Sequence, residues 1–275
     1  MKVREKVAEA AEFLKVQQPY APQVAVVLGS GLGNFTQRLK VDKLVRAGDV
    51  PHYPVPAVEG HAGELIWARV GETAALLLRG RVHMYEGYSA REVVFPILVA
   101  GALGARQLVV TNAAGAVNLD FEPGDLMLIR DHVNLTFRNP LVGPENDQFG
   151  PRFPDMTEAY SRRLIELARR CGDEQGLRLR EGVLFALLGP TYETPAEVEM
   201  VRRLGGDAVT MSTVPEVIAA RQWGMEVLGI SVVTNKASGR AGEPLAHEDV
   251  VEVATKIEQR FGDLMECILR RLPKP

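Results

Sequence analysis

Short apolar segments alternate with amphipathic segments along nearly the whole chain, which predicts strands and helices in turn. Runs rich in Val, Ile and Leu predict buried strands at 24–28, 64–70, 73–78, 107–110, 124–129, 182–188, 208–211 and 227–233. Apolar residues at helical spacing predict helices at 3–18, 91–103, 161–174, 196–204 and 249–271, and a further helix that begins within 212–216 and continues over 217–223. Such alternation is typical of the α/β class. The chain contains no linker and no internal repeat, so we expect one domain over residues 1–275.

Polar side chains follow several of the predicted strands, at the point where each strand ends. The positions are Ser30, Arg81, Asn112, Tyr192 with Glu193, and Asn235. In open α/β sheets, ligands bind in the crevice at the carboxyl ends of the strands. The sequence therefore predicts one pocket built from these strand ends.

The segment 79–88 has the densest polar chemistry of the chain, directly after a predicted buried strand. Arg81 and His83 are two residues apart, so in an extended segment they point to the same side, and Tyr85 continues that face. A guanidinium and an imidazole on one side suit a phosphate oxyanion. The alternative is a charged turn in which Arg81 pairs with Glu86, and this segment alone does not separate the two.

Two segments rich in small residues follow other predicted strands. Residues 29–33, Gly-Ser-Gly-Leu-Gly, suit close approach of the backbone to an anion. Asn34 stands where a dinucleotide-binding fingerprint needs its third glycine. Ser30 lacks the Gly-x-Ser-x-Gly pattern of a nucleophile elbow, so we do not predict a catalytic serine there. Residues 111–118 predict a loop whose backbone N–H groups are free to meet a ligand.

Two loops contain further candidate residues. The segment 50–63 is rich in Pro, His and Gly, and by itself His61 within it is typical of a solvated loop histidine. The segment 138–157 contains four prolines and predicts a long irregular loop. Such loops in compact domains are often functional. Phe153 is the aromatic residue there that we expect to be exposed.

Composition limits the classes of function. A hydrophobic fraction of 46% and a charged fraction of 24% are ordinary for a soluble globular protein. A net charge of −3 argues against non-specific binding of nucleic acid. No apolar run approaches the length of a membrane span, and the first residues predict an amphipathic helix rather than a signal peptide. Cys171 and Cys267 have no metal-ligand spacing, so we predict reduced packing residues in a cytoplasmic protein.

Taken together, these segments resemble the purine nucleoside phosphorylases, and among them the trimeric branch that prefers 6-oxopurines. The resemblance runs from about residue 24 to about residue 265, and so covers almost the full chain. It rests on the ordered motifs Gly29-Ser-Gly-Leu-Gly33, Gly60-His61, Gly80-Arg-Val-His-Met-Tyr-Glu-Gly-Tyr88, Thr111-Asn-Ala-Ala-Gly115, Arg152-Phe-Pro154, Gly189-Pro-Thr-Tyr-Glu193, Met211-Ser-Thr-Val-Pro-Glu216, Thr234-Asn-Lys236 and His247-Glu248. It implies a single α/β domain with a mixed central β-sheet flanked by helices.

The resemblance also implies a role for each matching residue. The phosphate-binding residues are Ser30, His61, Arg81, His83, Ser212 and the backbone of Ala113. The residues beside the ribose are Tyr85, Met211, His247 and, from a neighbouring subunit, Phe153. The base-binding residues are Tyr192, which stands where many members have Phe, Glu193, which accepts from N1–H, and Asn235, which bonds to N7 and O6. The residues of the catalytic step are Asn235, His83 and Glu193.

The reaction that the resemblance implies is reversible phosphorolysis of purine nucleosides to the free base and α-ribose-1-phosphate, with inosine and guanosine preferred. Inorganic phosphate is then a co-substrate, and neither a cofactor nor a metal ion is implied. Because Phe153 would complete a neighbour's site, the assembly would be a homotrimer or a dimer of trimers. Relatives that use 6-aminopurines often have an acid in place of Asn235, so we expect little activity on adenosine.

Three other functions compete with this interpretation. A methylthioadenosine phosphorylase shares the fold and the phosphate site, but Asn235 rather than an acid speaks against it. A nucleoside hydrolase uses water and would not need Arg81 and His83 to converge on an anion. A nucleotide-binding regulatory protein built on residues 29–33 would leave Glu193 unexplained. Phosphate-dependent turnover of inosine excludes the hydrolase and the regulatory protein, whereas the methylthioadenosine phosphorylase is distinguished by its choice of nucleoside.

Overall fold

A computed structural model of the chain describes residues 1–57, 62–144, 148–239 and 247–274. The strands are β1 Val24–Leu28, β2 Val41–Arg46, β3 Glu64–Val70, β4 Thr73–Arg79, β5 Gln107–Ala116, β6 Leu126–Asn134, β7 Arg180–Ala186, β8 Ala208–Thr210 and β9 Glu226–Lys236. The α-helices are α1 Val3–Lys15, α2 Ala90–Val93, α3 Phe95–Leu103, α4 Arg162–Glu174, α5 Pro195–Arg203, α6 Val214–Gln222, α7 His247–Lys256 and α8 Glu258–Arg271.

The strands of these described ranges form one mixed sheet in the order β2-β3-β4-β1-β5-β8-β7-β6-β9. β5 also pairs with β9, so β5, β6, β7, β8 and β9 close into a ring, and the other four strands extend from β5. β1 is parallel to β4 and β5, whereas β3 and β4 form an antiparallel hairpin. The predicted α/β class with a mixed central sheet is confirmed.

The apolar runs form these strands because they are buried on both faces. All five residues of β1 are buried, as the consecutive apolar pattern Val-Ala-Val-Val-Leu predicts for a central strand. α1 instead buries a single stripe at helical spacing, namely Val7, Ala10, Ala11 and Leu14. α1 packs on α3, and α3 packs on α6, while α4 packs on α8. No helix of the described residues is both long enough and apolar enough to cross a membrane.

Several predicted boundaries are wrong, and the largest error lies in β5. Residues 111–116 belong to this strand rather than to a loop, because β5 has β1, β8 and β9 as neighbours and their hydrogen bonds override the weak strand propensity of small residues. β9 likewise continues to Lys236. The predicted helices at 91–103 and 249–271 are each two helices, α2 with α3 and α7 with α8. β2 was missed, since most of its residues are exposed.

The prediction that Cys171 and Cys267 are reduced packing residues is wrong. They form a disulfide between α4 and α8, with Cα atoms 5.8 Å apart. The two cysteines are separated by 96 residues, so no local spacing reveals the pair. Only the packing of α4 against α8 brings the two thiols together.

Candidate active site

A pocket opens where β1 and β4 end and where β5 and β9 approach their carboxyl ends. It is lined by ten of the predicted site residues, which are Ser30, Arg81, His83, Tyr85, Ala113, Tyr192, Glu193, Met211, Ser212 and Asn235. The fold therefore joins, in one pocket, side chains from the first fifth and the last fifth of the chain. The predicted pocket at the strand ends is confirmed, although Ala113 and Asn235 lie within strands rather than after them.

Strand register explains how Ser30 and Arg81 come together. Leu28 of β1 pairs with Arg79 of β4 in a parallel ladder, so Ser30 and Arg81 each lie two positions beyond a paired residue. Between Leu28 and Ser30 the chain passes very close to β5. A Cβ on Gly29 would lie 2.9 Å from the Cα of Asn112, which is too close for any other residue. Glycine there lets the loop lie flat on β5.

One end of the pocket is cationic and rich in hydroxyl groups. Arg81 and His83 are buried, with 6% and 7% of their surface exposed. Arg81 Nη1 donates a hydrogen bond of 2.9 Å to Ser212 Oγ, which follows β8. Pairing of β5 with β1 ends at Val110, so Ala113 lies beyond the last β1 partner and faces the pocket. A guanidinium, an imidazole and hydroxyl groups here suit a tetrahedral anion.

Glu86 orients the imidazole of His83 rather than the guanidinium of Arg81. Its Oε1 accepts from the backbone N–H of His83 at 2.7 Å and lies 3.1 Å from His83 Nδ1. The alternative pairing of Arg81 with Glu86 is therefore wrong. Residues Met84–Glu86 form a 3₁₀ turn rather than an extended segment. Tyr85 nevertheless reaches the pocket, because its ring stacks on that of His83 with centroids 4.6 Å apart. Burial raises the pKa of Tyr85 to about 12, so its hydroxyl stays protonated.

The other end of the pocket offers an acid, an amide and an aromatic ring. Glu193 is buried, and this burial raises the pKa of its carboxyl above the ordinary value. Asn235 lies on β9, where its Nδ2 donates to the carbonyl of Lys236 at 3.1 Å. The ring of Tyr192 is half-exposed at the rim. Met211 forms the floor under Gly189, at which a Cβ would lie 2.3 Å from the Met211 sulfur.

Four residues predicted at the pocket are not among those lining it. Asn112 is buried and instead donates to Thr213. Phe153 is 87% exposed and does not line this pocket. His61 lies outside the described residues. His247 begins α7, and the structure does not describe its side chain.

Sequence reasoning missed a buried polar layer behind the cationic end of the pocket. Glu216 of α6 is 3% exposed, and its Oε1 lies 3.3 Å from Arg81 Nε. Thr213 Oγ1 accepts a hydrogen bond of 2.9 Å from Asn112 Nδ2. The signal that was available is the spacing Thr213-x-x-Glu216, which is that of a helix capping box. That spacing predicts a helix start but not the contact with Arg81.

The two ends of the pocket together define a class of binding site. One end of the pocket suits an anion, the other end suits a planar heterocycle with N–H donors, and Met211 and Tyr85 lie in the lining with them. Within the described ranges, no group of three or more His, Cys, Asp or Glu side chains is arranged to hold a metal ion. Such a site suits the transfer of a group from a nitrogen heterocycle to phosphate.

Comparison with known proteins agrees with this class. The model of the phosphorylase superfamily matches residues 23–270. Purine nucleoside phosphorylase 1 of Geobacillus stearothermophilus is 50% identical over 271 residues, which are 98% of this chain and 99% of that protein. The rat purine nucleoside phosphorylase is 45% identical over 94% of this chain and 93% of its own length.

Solved structures give the same result at the level of the fold. Isoform 2 of purine nucleoside phosphorylase from Schistosoma mansoni, in complex with cytosine and ribose-1-phosphate, superposes with a TM-score of 0.93 at 39% identity over 98% of each chain. The Schistosoma mansoni enzyme in complex with inosine has a TM-score of 0.93 at 34% identity, again over 98% of each chain. The chain therefore belongs to the phosphorylase superfamily and, within it, to the purine nucleoside phosphorylases.

Proposed function

We infer that the protein is an enzyme that catalyses reversible phosphorolysis of purine nucleosides and deoxynucleosides, a reaction of purine salvage. The observation that carries this inference is the single pocket in which Arg81 and Ser212 face Glu193 and Asn235. Relatives from the same family were solved with inosine and with ribose-1-phosphate, which supports the same substrate classes here. We treat residues 1–275 as one nucleoside phosphorylase domain.

We propose that phosphate binds at the cationic end of the pocket. Its ligands are Ser30, His61, Arg81, His83, Ser212 and the backbone N–H of Ala113. The buried guanidinium of Arg81 supplies positive charge where solvent screening is weak. The carboxylate of Glu86 keeps His83 oriented, so that the imidazole edge away from Glu86 is directed at the bound phosphate.

The nucleoside binds over the remaining part of the pocket. The ribose lies against Tyr85 and Met211, with His247 and a neighbour's Phe153 beside it. Tyr192 packs on the purine ring, and Glu193 accepts from N1–H. The half-exposed ring of Tyr192 at the rim and the buried carboxylate of Glu193 suit these two roles.

In the reaction, the C1′–N9 bond breaks and its electron pair moves onto the purine. The sugar becomes oxocarbenium-like, and the phosphate dianion stabilises this positive charge before one of its oxygens bonds to C1′. Attack from the face opposite the base gives α-(deoxy)ribose-1-phosphate. Asn235 donates to N7, where negative charge develops, and this electrostatic stabilisation lowers the barrier before the purine takes up a proton from water. Inorganic phosphate is the co-substrate, and the mechanism uses no cofactor and no metal ion.

Asn235 is the basis for the proposed preference for inosine and guanosine over adenosine. Its amide donates to N7 and accommodates the 6-oxo group, whereas a carboxylate would instead accept from a 6-amino group. Glu193 adds to this choice, because a carboxylate accepts the N1–H that 6-oxopurines have and adenine lacks. The same residues disfavour methylthioadenosine as substrate.

The assembly that we propose is a homotrimer or a dimer of trimers. Phe153 is 87% exposed, and Phe137 and Val142 in the same part of the chain are 82% and 72% exposed. Large apolar side chains exposed together mark interaction surfaces. We propose neither nucleic acid nor a membrane as partner. A cytoplasmic location stays a prediction, and the disulfide removes the support that the cysteines gave it.

The decisive experiment follows hypoxanthine release from inosine with and without inorganic phosphate, with adenosine alongside. We expect release that depends on phosphate and is much slower with adenosine. Release from inosine without phosphate would indicate a hydrolase and would remove the roles of Arg81 and His83. Binding of nucleoside without any turnover would indicate a regulatory protein.

A further inference from the structure

The carboxylate of Glu216 joins the phosphate end of the pocket to the start of α6. Glu216 is 3% exposed and lies behind the pocket rather than in its lining. One oxygen, Oε1, lies 3.3 Å from Arg81 Nε. The other, Oε2, accepts a hydrogen bond of 3.1 Å from the backbone N–H of Thr213. One oxygen thus forms an ion pair with Arg81 and the other accepts a hydrogen bond from Thr213, and these two groups come from separate parts of the fold.

The backbone that Glu216 contacts is strained. Thr213 has φ 73° and ψ −54°, and the N–H of Val214 donates to the carbonyl of Ser212 at 2.8 Å. This combination is a γ-turn with a left-handed central residue, a rare conformation that a β-branched side chain adopts only at a cost. A strained turn persists only when its surroundings hold it, and such turns concentrate at functional sites.

The side chain of Thr213 holds the turn from the opposite side. Its Oγ1 accepts from Asn112 Nδ2 at 2.9 Å and lies 3.1 Å from Ser212 Oγ and 3.5 Å from Arg81 Nη1. The turn therefore fixes the direction of Ser212, and Ser212 in turn accepts from Arg81. The backbone turn at Thr213, the hydroxyl of Thr213 and the carboxylate of Glu216 therefore all contribute to the position of the Arg81 guanidinium.

We propose that Glu216 is a positioning residue for phosphate, which holds both the Arg81 guanidinium and the strained turn at Thr213 in the geometry that binds the anion. This inference rests on the proposed function. A guanidinium is planar, so holding its Nε edge also sets the direction of both Nη groups. The buried carboxylate also balances the charge of Arg81 while phosphate is absent. Phosphate then meets a guanidinium that is already aligned, which reduces the entropy lost on binding.

The test begins with Glu216→Gln, which keeps the size of the side chain. A carboxamide has one acceptor oxygen, so it serves either Arg81 or Thr213 but turns its NH₂ group toward the other donor. We expect the KM for inorganic phosphate to rise roughly tenfold to hundredfold, the range for losing a hydrogen bond to a charged group. The KM for inosine should stay within about twofold of wild type, a split that general structural damage would not produce.

A direct binding measurement and a matched control separate positioning from stability. Inorganic phosphate should raise the Tm of the wild type, and the same concentration should raise that of Glu216→Gln much less. Glu226→Gln is the control, because Glu226 also pairs with an arginine, Arg163, and lies at the amino end of β9, away from the pocket. This control should keep the wild-type KM for phosphate.

A second pair of variants covers the case in which Glu216→Gln does not fold. Thr213→Val keeps the β-branched shape but removes the hydroxyl, whereas Thr213→Ser keeps it. We expect a raised KM for phosphate with valine and near wild-type behaviour with serine. Equal rises in the KM values for phosphate and inosine, or unchanged phosphate affinity in both Glu216→Gln and Thr213→Val, would overturn the inference. Wild-type turnover that ignores phosphate would instead refute the proposed function itself.

Discussion

The hydroxyl of Thr234 donates a hydrogen bond of 2.9 Å to Oδ1 of the neighbouring Asn235. The carbonyl of Lys236 can only accept, so the hydrogen bond that it receives from the amide assigns Nδ2 and uses the first hydrogen of that nitrogen. An amide nitrogen has two hydrogens. The second hydrogen of Nδ2 is left for a ligand in the pocket that Asn235 lines.

Replacing Asn235 by Asp should therefore change the choice of base. Aspartate has no hydrogen to give to N7 and repels the 6-oxo group, so we expect kcat/KM for inosine to fall roughly 10- to 100-fold. The ratio of adenosine to inosine activity should rise, because a carboxylate accepts from the 6-amino group. Steady-state kinetics with both nucleosides measure this. Asn139→Asp, on the surface with its Oδ1 accepting from Leu141 N–H, is the control. An unchanged ratio in Asn235→Asp would remove Asn235 from base recognition.

Phe153→Ala should weaken nucleoside binding without weakening phosphate binding. An aromatic contact with the sugar of a neighbour's site contributes energy that corresponds to a rise in KM for inosine of roughly threefold to tenfold. The control is Val16→Ala, because Val16 is similarly exposed, at 89%, and lies at the end of α1 outside this loop. Light scattering on the wild type should give a trimer or a hexamer. An active monomer would contradict the shared site.

Reduction of the disulfide should destabilise the fold. The bond closes a loop of 96 residues, and cross-links of this kind typically contribute about 2–4 kcal/mol to the free energy of unfolding. We expect the Tm to fall when a reductant is added to the wild type. The variant Cys171→Ala should have a lower Tm that no longer responds to reductant. A wild-type Tm that stays constant after full reduction, verified by thiol titration, would show that the bond contributes nothing.

His132 should make stability depend on pH. Its ring is packed against Tyr160, with Nδ1 3.1 Å from the hydroxyl, and burial lowers the pKa of His132 below the ordinary value. Because the folded pKa is the lower one, the unfolded chain takes up a proton first as the pH falls. The stabilisation is complete above about pH 6.5, the usual pKa of histidine, and is lost as the pH falls from there toward the folded pKa.

The measurement for His132 is the free energy of unfolding by denaturant at several pH values from 8 down to 5. His132→Gln should show a weaker decline below about pH 6.5 than the wild type. Taking the difference between the two proteins removes the contribution of all other titrating groups. Parallel curves for wild type and variant would contradict the assignment.

Most of the pocket could be predicted from local patterns, since Arg81, His83 and Tyr85 follow an apolar strand directly. Other parts could not. The contact of Glu216 with Arg81 joins positions 135 residues apart, and a capping-box spacing predicts only a helix start. The hydrogen bond of Asn112 to Thr213 was equally hidden, because it joins β5 to the residue before α6, 101 positions further along the chain.

The order of apolar runs, glycines and polar clusters, which the sequence contains by itself, determined the α/β class, the pocket at the strand ends and its chemical character. These features can be predicted locally, since the apolar run of a strand, the glycines and the polar residues after it are neighbours along the chain. Tertiary structure alone decided three others: the closure of β5 with β9, the pairing of Cys171 with Cys267, and the strained turn at Thr213. Each depends on contacts between distant segments, whose distances no local pattern contains.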